Sequence, residues 1–117
     1  MKLFDSELKV LDILWEKGPT TAKTLAEILA KTTGWSKTTT YTVIKKCIDK
    51  NILSRKEPGF VCHALVSKKQ AQDAETSTLI DKMFYGRSDH LVASILGRKK
   101  LSKKEIQRLK DLVEELS

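Results

Sequence analysis

Seven side chains between Lys37 and Lys46 bring hydroxyl or ammonium groups to one side of a prospective helix: Lys37, Thr38, Thr39, Tyr41, Thr42, Lys45 and Lys46. Hydroxyls interleaved with cations suit phosphate oxygens and base edges, which offer acceptors and, at phosphate, negative charge. No acid interrupts the set before Asp49. Ser36 is a good N-cap, so free amides and the positive end of a helix dipole fall beside the Lys-Thr-Thr cluster. The other side is apolar, with Thr40, Val43, Ile44, Cys47 and Ile48 at the three-and-four spacing of a buried helix stripe. This pattern predicts a helix over 36–50 whose outer face, Ser36 included, contacts duplex DNA. A solvated surface helix also carries charge on its outer face, so the neighbouring sequence must decide.

The elements that would position this helix are legible on both sides of it. Asp5 or Ser6 can cap a first helix bearing Leu8, Leu11, Leu14 and Trp15, broadened by Val10 and Ile13 and ended by Gly18-Pro19. Thr21 caps a second, with Ala22, Leu25, Ile28 and Leu29 inward, which frays into Thr32-Thr33-Gly34. Trp35, one residue before the cap of the central helix, is placed to pack on its first turn and set the angle between the two helices. A short Gly-containing turn between amphipathic helices is the helix-turn-helix pattern. After Lys50 the period shortens. Residues 52–56 and 60–66 read as two strands around the turn sequence Glu57-Pro58-Gly59. Three helices and a hairpin make a winged helix-turn-helix over 1–66, with Arg55 and Lys56 at the base of the wing as further phosphate contacts, although an ordinary solvated hairpin would tolerate them too.

Composition sets the bounds. The chain has 117 residues, 40% hydrophobic and 32% charged, with a net charge of +7, which fits one soluble domain or a small domain with an assembly segment and favours a polyanionic partner. The charge is concentrated: from Ser36 to Lys56 six cations face one acid. The N-terminus meets Asp5 before any apolar run and the longest nearly apolar stretch is far too short for a span, so a cytoplasmic protein without membrane insertion is expected. Cys47 lies on the apolar stripe and Cys62 in a strand; with His63 and His90 they form no ligand set of usual spacing, so no metal and no cofactor is expected. No paired carboxylates, Gly-rich phosphate loop or nucleophile elbow is present, which argues against an enzyme.

Residues 67–117 read as helical. Ser67 and Gln70 form a capping box that opens a helix carrying Leu79, Ile80, Met83 and Phe84 and closing near Tyr85-Gly86. Ser88 or Asp89 starts a short helix with Leu91, Val92, Ile95 and Leu96. Ser102 and Glu105 make a second capping box, flanked by Leu101 and Ile106 as a hydrophobic staple, ahead of a stripe of Ile106, Leu109, Leu112, Val113 and Leu116. Three short helices cannot bury all these faces within one small unit. Pairing with a second copy through this segment, a homodimer, is the economical solution; folding back onto the winged helix is the monomeric alternative.

Four fragments, in this order, give the chain its resemblance to the BlaI/MecI/CopY family of bacterial penicillinase repressors: Leu14-Trp15-Glu16-Lys17-Gly18-Pro19, Thr33-Gly34-Trp35-Ser36, Ala74-Glu75-Thr76, and Leu101-Ser102-Lys103-Lys104-Glu105-Ile106. The resemblance runs over essentially the full length. It implies an N-terminal winged helix on operator DNA, a C-terminal helical dimerisation region, and repression of genes such as β-lactamase and sensor operons; in antibiotic-responsive members a membrane sensor-protease triggers cleavage of the repressor. The family's recognition helix often reads Ser-x-Lys-Thr-(Val/Ile)-x-Thr. Here Thr38 replaces the lysine, Lys37 stands one place earlier, and Thr40 replaces the apolar residue, so a different operator preference is expected. At the scissile Asn-Phe position this chain has Ser94 and Ile95, a departure on both sides of the bond that argues against triggering by cleavage there. The cysteine-rich metal motif of the copper-responsive branch has no counterpart at Glu114-Glu115-Leu116-Ser117.

The expectation is therefore a mainly α protein with a small β-hairpin, a dimeric repressor on a palindromic site in double-stranded DNA. The alternative is a winged-helix module that docks an acidic protein; such a surface should expose an apolar anchor, for which Tyr41 is the candidate. A redox sensor using Cys62 would require an exposed, reactive thiol.

Overall fold

A computed structural model describes residues 1–98 and 100–116. The elements run α1 (Asp5–Lys17), β1 (Thr20–Thr21), α2 (Ala22–Thr33), α3 (Lys37–Asp49), β2 (Leu53–Lys56), β3 (Val61–Ala64), α4 (Lys68–Phe84), α5 (Ser88–Arg98) and α6 (Lys103–Glu115). They fall into two compact units, Met1–Thr76 and Ser77–Ser117.

In the first unit, Val10, Leu11 and Leu14 of α1, Leu25 and Leu29 of α2, and Val43, Ile44 and Cys47 of α3 meet in one core that Leu53 and Cys62 close from the sheet side. Burying each large aliphatic side chain stabilises the fold by about 2 kcal/mol. The expected stripes of α2 and α3 hold, with Ile28 and Ile48 at their half-buried margins. α1 differs in two respects. Its first helical residue is Asp5 and its cap position is Phe4, with no side-chain cap; neither Asp5 nor Ser6 caps it. Its buried face also includes Glu7, whose carboxylate accepts the Phe4 N–H at 2.9 Å.

The hairpin is part of a three-stranded antiparallel sheet in the order β1-β3-β2. Thr20 and Thr21 pair with Cys62 and Val61 on one edge of β3, and Leu53 to Lys56 pair with Ala64 to Val61 on the other. The sequence carries no sign of the third strand, because two residues have no periodicity. Trp15 Nε1 donates to the Val66 carbonyl at 2.9 Å, tying α1 to the chain leaving β3.

α4 opens on the expected capping box: Gln70 N–H donates to Ser67 Oγ at 3.0 Å, and Ser67 N–H to Gln70 Oε1 at 2.8 Å. Its first turns belong to the first unit, where Ala71 enters the core and Glu75 accepts the Leu3 N–H at 2.9 Å. In the second unit α6 starts with its own box, Ser102 Oγ accepting from Glu105 N–H at 3.1 Å. Val92 and Leu96 of α5 face Ile106, Leu109 and Val113 of α6 across an open apolar groove of about 480 Å³. No described residue of α5 or α6 is buried. Among the described residues, no helix is long and apolar enough to cross a membrane.

Candidate nucleic-acid interface

The central helix is set by the turn before it. α2 ends at Gly34, whose left-handed backbone (φ +73°) a β-carbon would strain. Trp35 follows, half-buried against the core, and Ser36 Oγ then accepts the Thr39 N–H at 3.1 Å as the N-cap of α3. With Thr40, Val43, Ile44 and Cys47 buried, Lys37, Thr38, Thr39, Thr42, Lys45 and Lys46 are all exposed. Lys37, Thr38, Tyr41, Thr42 and Lys45 line an open depression of about 440 Å³. Two hydroxyls are held in place within the helix: Thr42 Oγ1 donates to the Thr38 carbonyl at 2.9 Å and Ser36 Oγ to Thr39 Oγ1 at 3.0 Å. The acceptors are a backbone carbonyl and a hydroxyl, so the exposed Thr42 oxygen keeps its lone pairs and Thr39 keeps its O–H donor.

Tyr41 is half-buried, and its ring meets Phe60 of the wing edge-to-face, centroids 5.7 Å apart at 86°. Lys37 Nζ lies 5.8 Å from the Tyr41 ring centre, and the Arg55 guanidinium stacks 3.7 Å over Phe60. A continuous row, Lys37–Tyr41–Phe60–Arg55, thus joins the helix face to the wing. Phe60 had no distinguishing signal in the sequence, since an aromatic residue after a turn glycine is ordinary strand chemistry.

The concentration of positive charge is smaller than the sequence suggests. Lys50 turns away from the outer face: its Nζ donates to Glu7 Oε1 and to the Lys2 carbonyl, both at 2.7 Å. Arg55 is paired with Glu57, Nε to Oε1, at 2.5 Å. Lys56 is exposed opposite Val61 at the end of β2. Both cysteines are buried; desolvation pushes the thiol of Cys47 up to about 12 and that of Cys62 to about 11. Neither meets the requirement for a redox sensor. His63 stands in β3 opposite Ser54.

A family model described as penicillinase repressor matches residues 3–115. The penicillinase repressor of Bacillus licheniformis is 24% identical over 116 residues, covering 97% of this chain and 91% of that protein. The methicillin resistance regulatory protein MecI of Staphylococcus aureus is 25% identical over 114 residues, covering 96% and 93%. Among solved structures, the DNA-binding domain of the repressor BlaI matches with a TM-score of 0.55 at 25% identity, over 59% of this chain and 87% of that one. The monomeric form of Bacillus licheniformis BlaI in complex with the blaP half-operator matches with a TM-score of 0.54 at 25% identity, over 60% and 88%. These relatives are repressors and regulators, not enzymes.

Proposed function

The chain belongs to the penicillinase repressor family, and from that premise we propose that it represses transcription as a homodimer on a palindromic operator, one α3 helix in each of two successive major grooves. The observation that carries this reading is the outer face of α3, where Lys37, Thr38, Thr39, Thr42, Lys45 and Lys46 stand exposed without an acid among them, beside a wing bearing Arg55 and Lys56. Lys37, Lys45, Lys46, Arg55 and Lys56 hold phosphates; Thr38, Thr39 and Thr42 reach base edges, and Ser36 contributes the helix N-terminus. The BlaI structure with its half-operator, similar over 60% of this chain, supports the same use of the fold.

Residues 1–66 form the DNA-binding part and residues 67–117 the dimerisation region. The second unit, considered by itself, leaves Leu79, Met83, Val92, Ile95, Leu96, Ile106, Leu109, Leu112, Val113 and Leu116 exposed, an apolar area that a second copy would cover together with Ile80, Phe84 and Leu91. Linking two half-site contacts multiplies weak affinities into a useful one. Ser94 and Ile95 lie within α5, so release by a sensor-protease at that bond would need the helix to unwind first. An acidic protein partner finds less to hold: Tyr41, the one apolar anchor of the outer face, is engaged by Phe60.

Selection of genomic fragments by the purified protein at near-physiological salt tests the proposal. A recurrent palindrome with half-sites about one helical turn or a multiple apart is expected; binding with no sequence preference would overturn it.

A further inference from the structure

The wing holds an acid where a DNA-facing surface would be expected to hold none. Glu57 grips Arg55 with one carboxylate oxygen (2.5 Å) while the other accepts the Phe60 N–H at 3.3 Å. The backbone bond keeps the carboxylate facing the guanidinium, and the Phe60 ring beneath Arg55 limits where that guanidinium can go. The hydrogen bond from Arg55 holds the Glu57 carboxyl below its ordinary range, so it is ionised wherever DNA would be bound. Arg55 and Glu57 are each about half exposed, at 50% and 55%, so both remain within reach of a phosphate. Through Phe60 the pair also abuts Tyr41 and the depression on α3.

We propose that Glu57 competes with DNA phosphate for Arg55 and so limits how tightly the protein holds any duplex. This rests on the DNA-binding function proposed above. A carboxylate and a phosphate oxygen are alternative acceptors for the same guanidinium fork, and the exchange leaves an ionised carboxylate beside the phosphate backbone. The wing cation therefore contributes less than a solitary arginine, in affinity and in counterions released. Because the exchange involves no base, it acts alike on operator and on random sequence, and acts on specificity only through the protein fraction held elsewhere on the chromosome.

The test is fluorescence anisotropy of the full chain on a selected operator and on a random duplex, across a salt series. Glu57→Gln keeps an acceptor for the Phe60 N–H but loses the charge. It should bind both duplexes about 2- to 5-fold more tightly, with a salt slope steeper by up to about 0.9. Arg55→Ala added to Glu57→Gln should abolish both gains. Should Glu57→Gln disturb the wing in a thermal melt, Glu57→Asp, which withdraws the carboxylate by one methylene, should give a smaller gain of the same sign. Wild-type affinity and slope in both Glu57 variants, or a gain that survives loss of Arg55, would overturn the proposal while leaving DNA binding intact. If wild type and Lys45→Ala alike bind no duplex, the DNA-binding reading itself falls.

Discussion

Lys50 Nζ sits 2.7 Å from Glu7 Oε1, and the Glu7 side chain is only 1% exposed. The residue that caps the C-terminus of α3 is thereby tied to the first turn of α1, and Lys50 Nζ also lies 4.7 Å from the Phe4 ring centre. Removing the cation would leave a buried carboxylate with the Phe4 N–H as its remaining partner. Lys50→Met should therefore cost about 2 to 4 kcal/mol in urea unfolding, while the salt slope of DNA binding stays unchanged. A shallower slope with unaltered stability would return Lys50 to the DNA face.

Tyr41 and Phe60 make the contact by which α3 and the wing brace each other. Tyr41→Phe keeps the ring and should leave stability within about 0.5 kcal/mol of wild type. Phe60→Ala removes the stacking surface for Arg55 and Tyr41 together and should destabilise by about 1 to 3 kcal/mol, weakening operator binding as well. If Tyr41→Phe changes which operator is preferred, the phenol hydroxyl reads a base as well as packing.

Thr40 is fully buried, and its hydroxyl has no hydrogen-bond partner among the described residues. A buried hydroxyl without a partner is costly, so Thr40→Val should raise stability by about 1 kcal/mol at nearly constant volume. A lower urea midpoint would show that the hydroxyl is satisfied after all.

Leu109 and Leu112 are 40% and 44% exposed in the single chain. If a second copy covers them, Leu109→Asp places a charge in an apolar seam and should convert a dimer to a monomer in sedimentation, with loss of operator affinity. A dimer of unchanged mass would place the interface elsewhere.

The two buried thiols make stability depend on pH on the alkaline side. Their folded values of about 12 and 11 exceed the ordinary 9.0, so the folded state favours the protonated thiols. That contribution is complete below pH 9 and is lost as pH rises from there through the folded values of about 11 and about 12. Alkylation by iodoacetamide at pH 8 should be negligible in the folded protein and complete in urea. Rapid labelling of Cys62 without urea would show the sheet to be open.

Much of this protein is local in origin and therefore legible in its sequence. The stripe Thr40, Val43, Ile44, Cys47, the Ser36, Ser67 and Ser102 caps, and the turn at Gly34 each depend on residues within one or two helical turns of each other. The exposed cations and hydroxyls of α3 follow, since burying one side of a helix exposes the other. The partners of those cations come from sequence-distant or turn-specific geometry. Glu7 lies 43 residues from Lys50, and only the packing of α1 on α3 brings them together. The turn folds Glu57 back onto Arg55 and puts Phe60 against Tyr41, and β1 exists because β3 passes beside Thr20 and Thr21. Helix periodicity decides which side chains face outward; tertiary packing decides which of those charges are already taken, because an ion pair depends on distance in space and not on spacing along the chain.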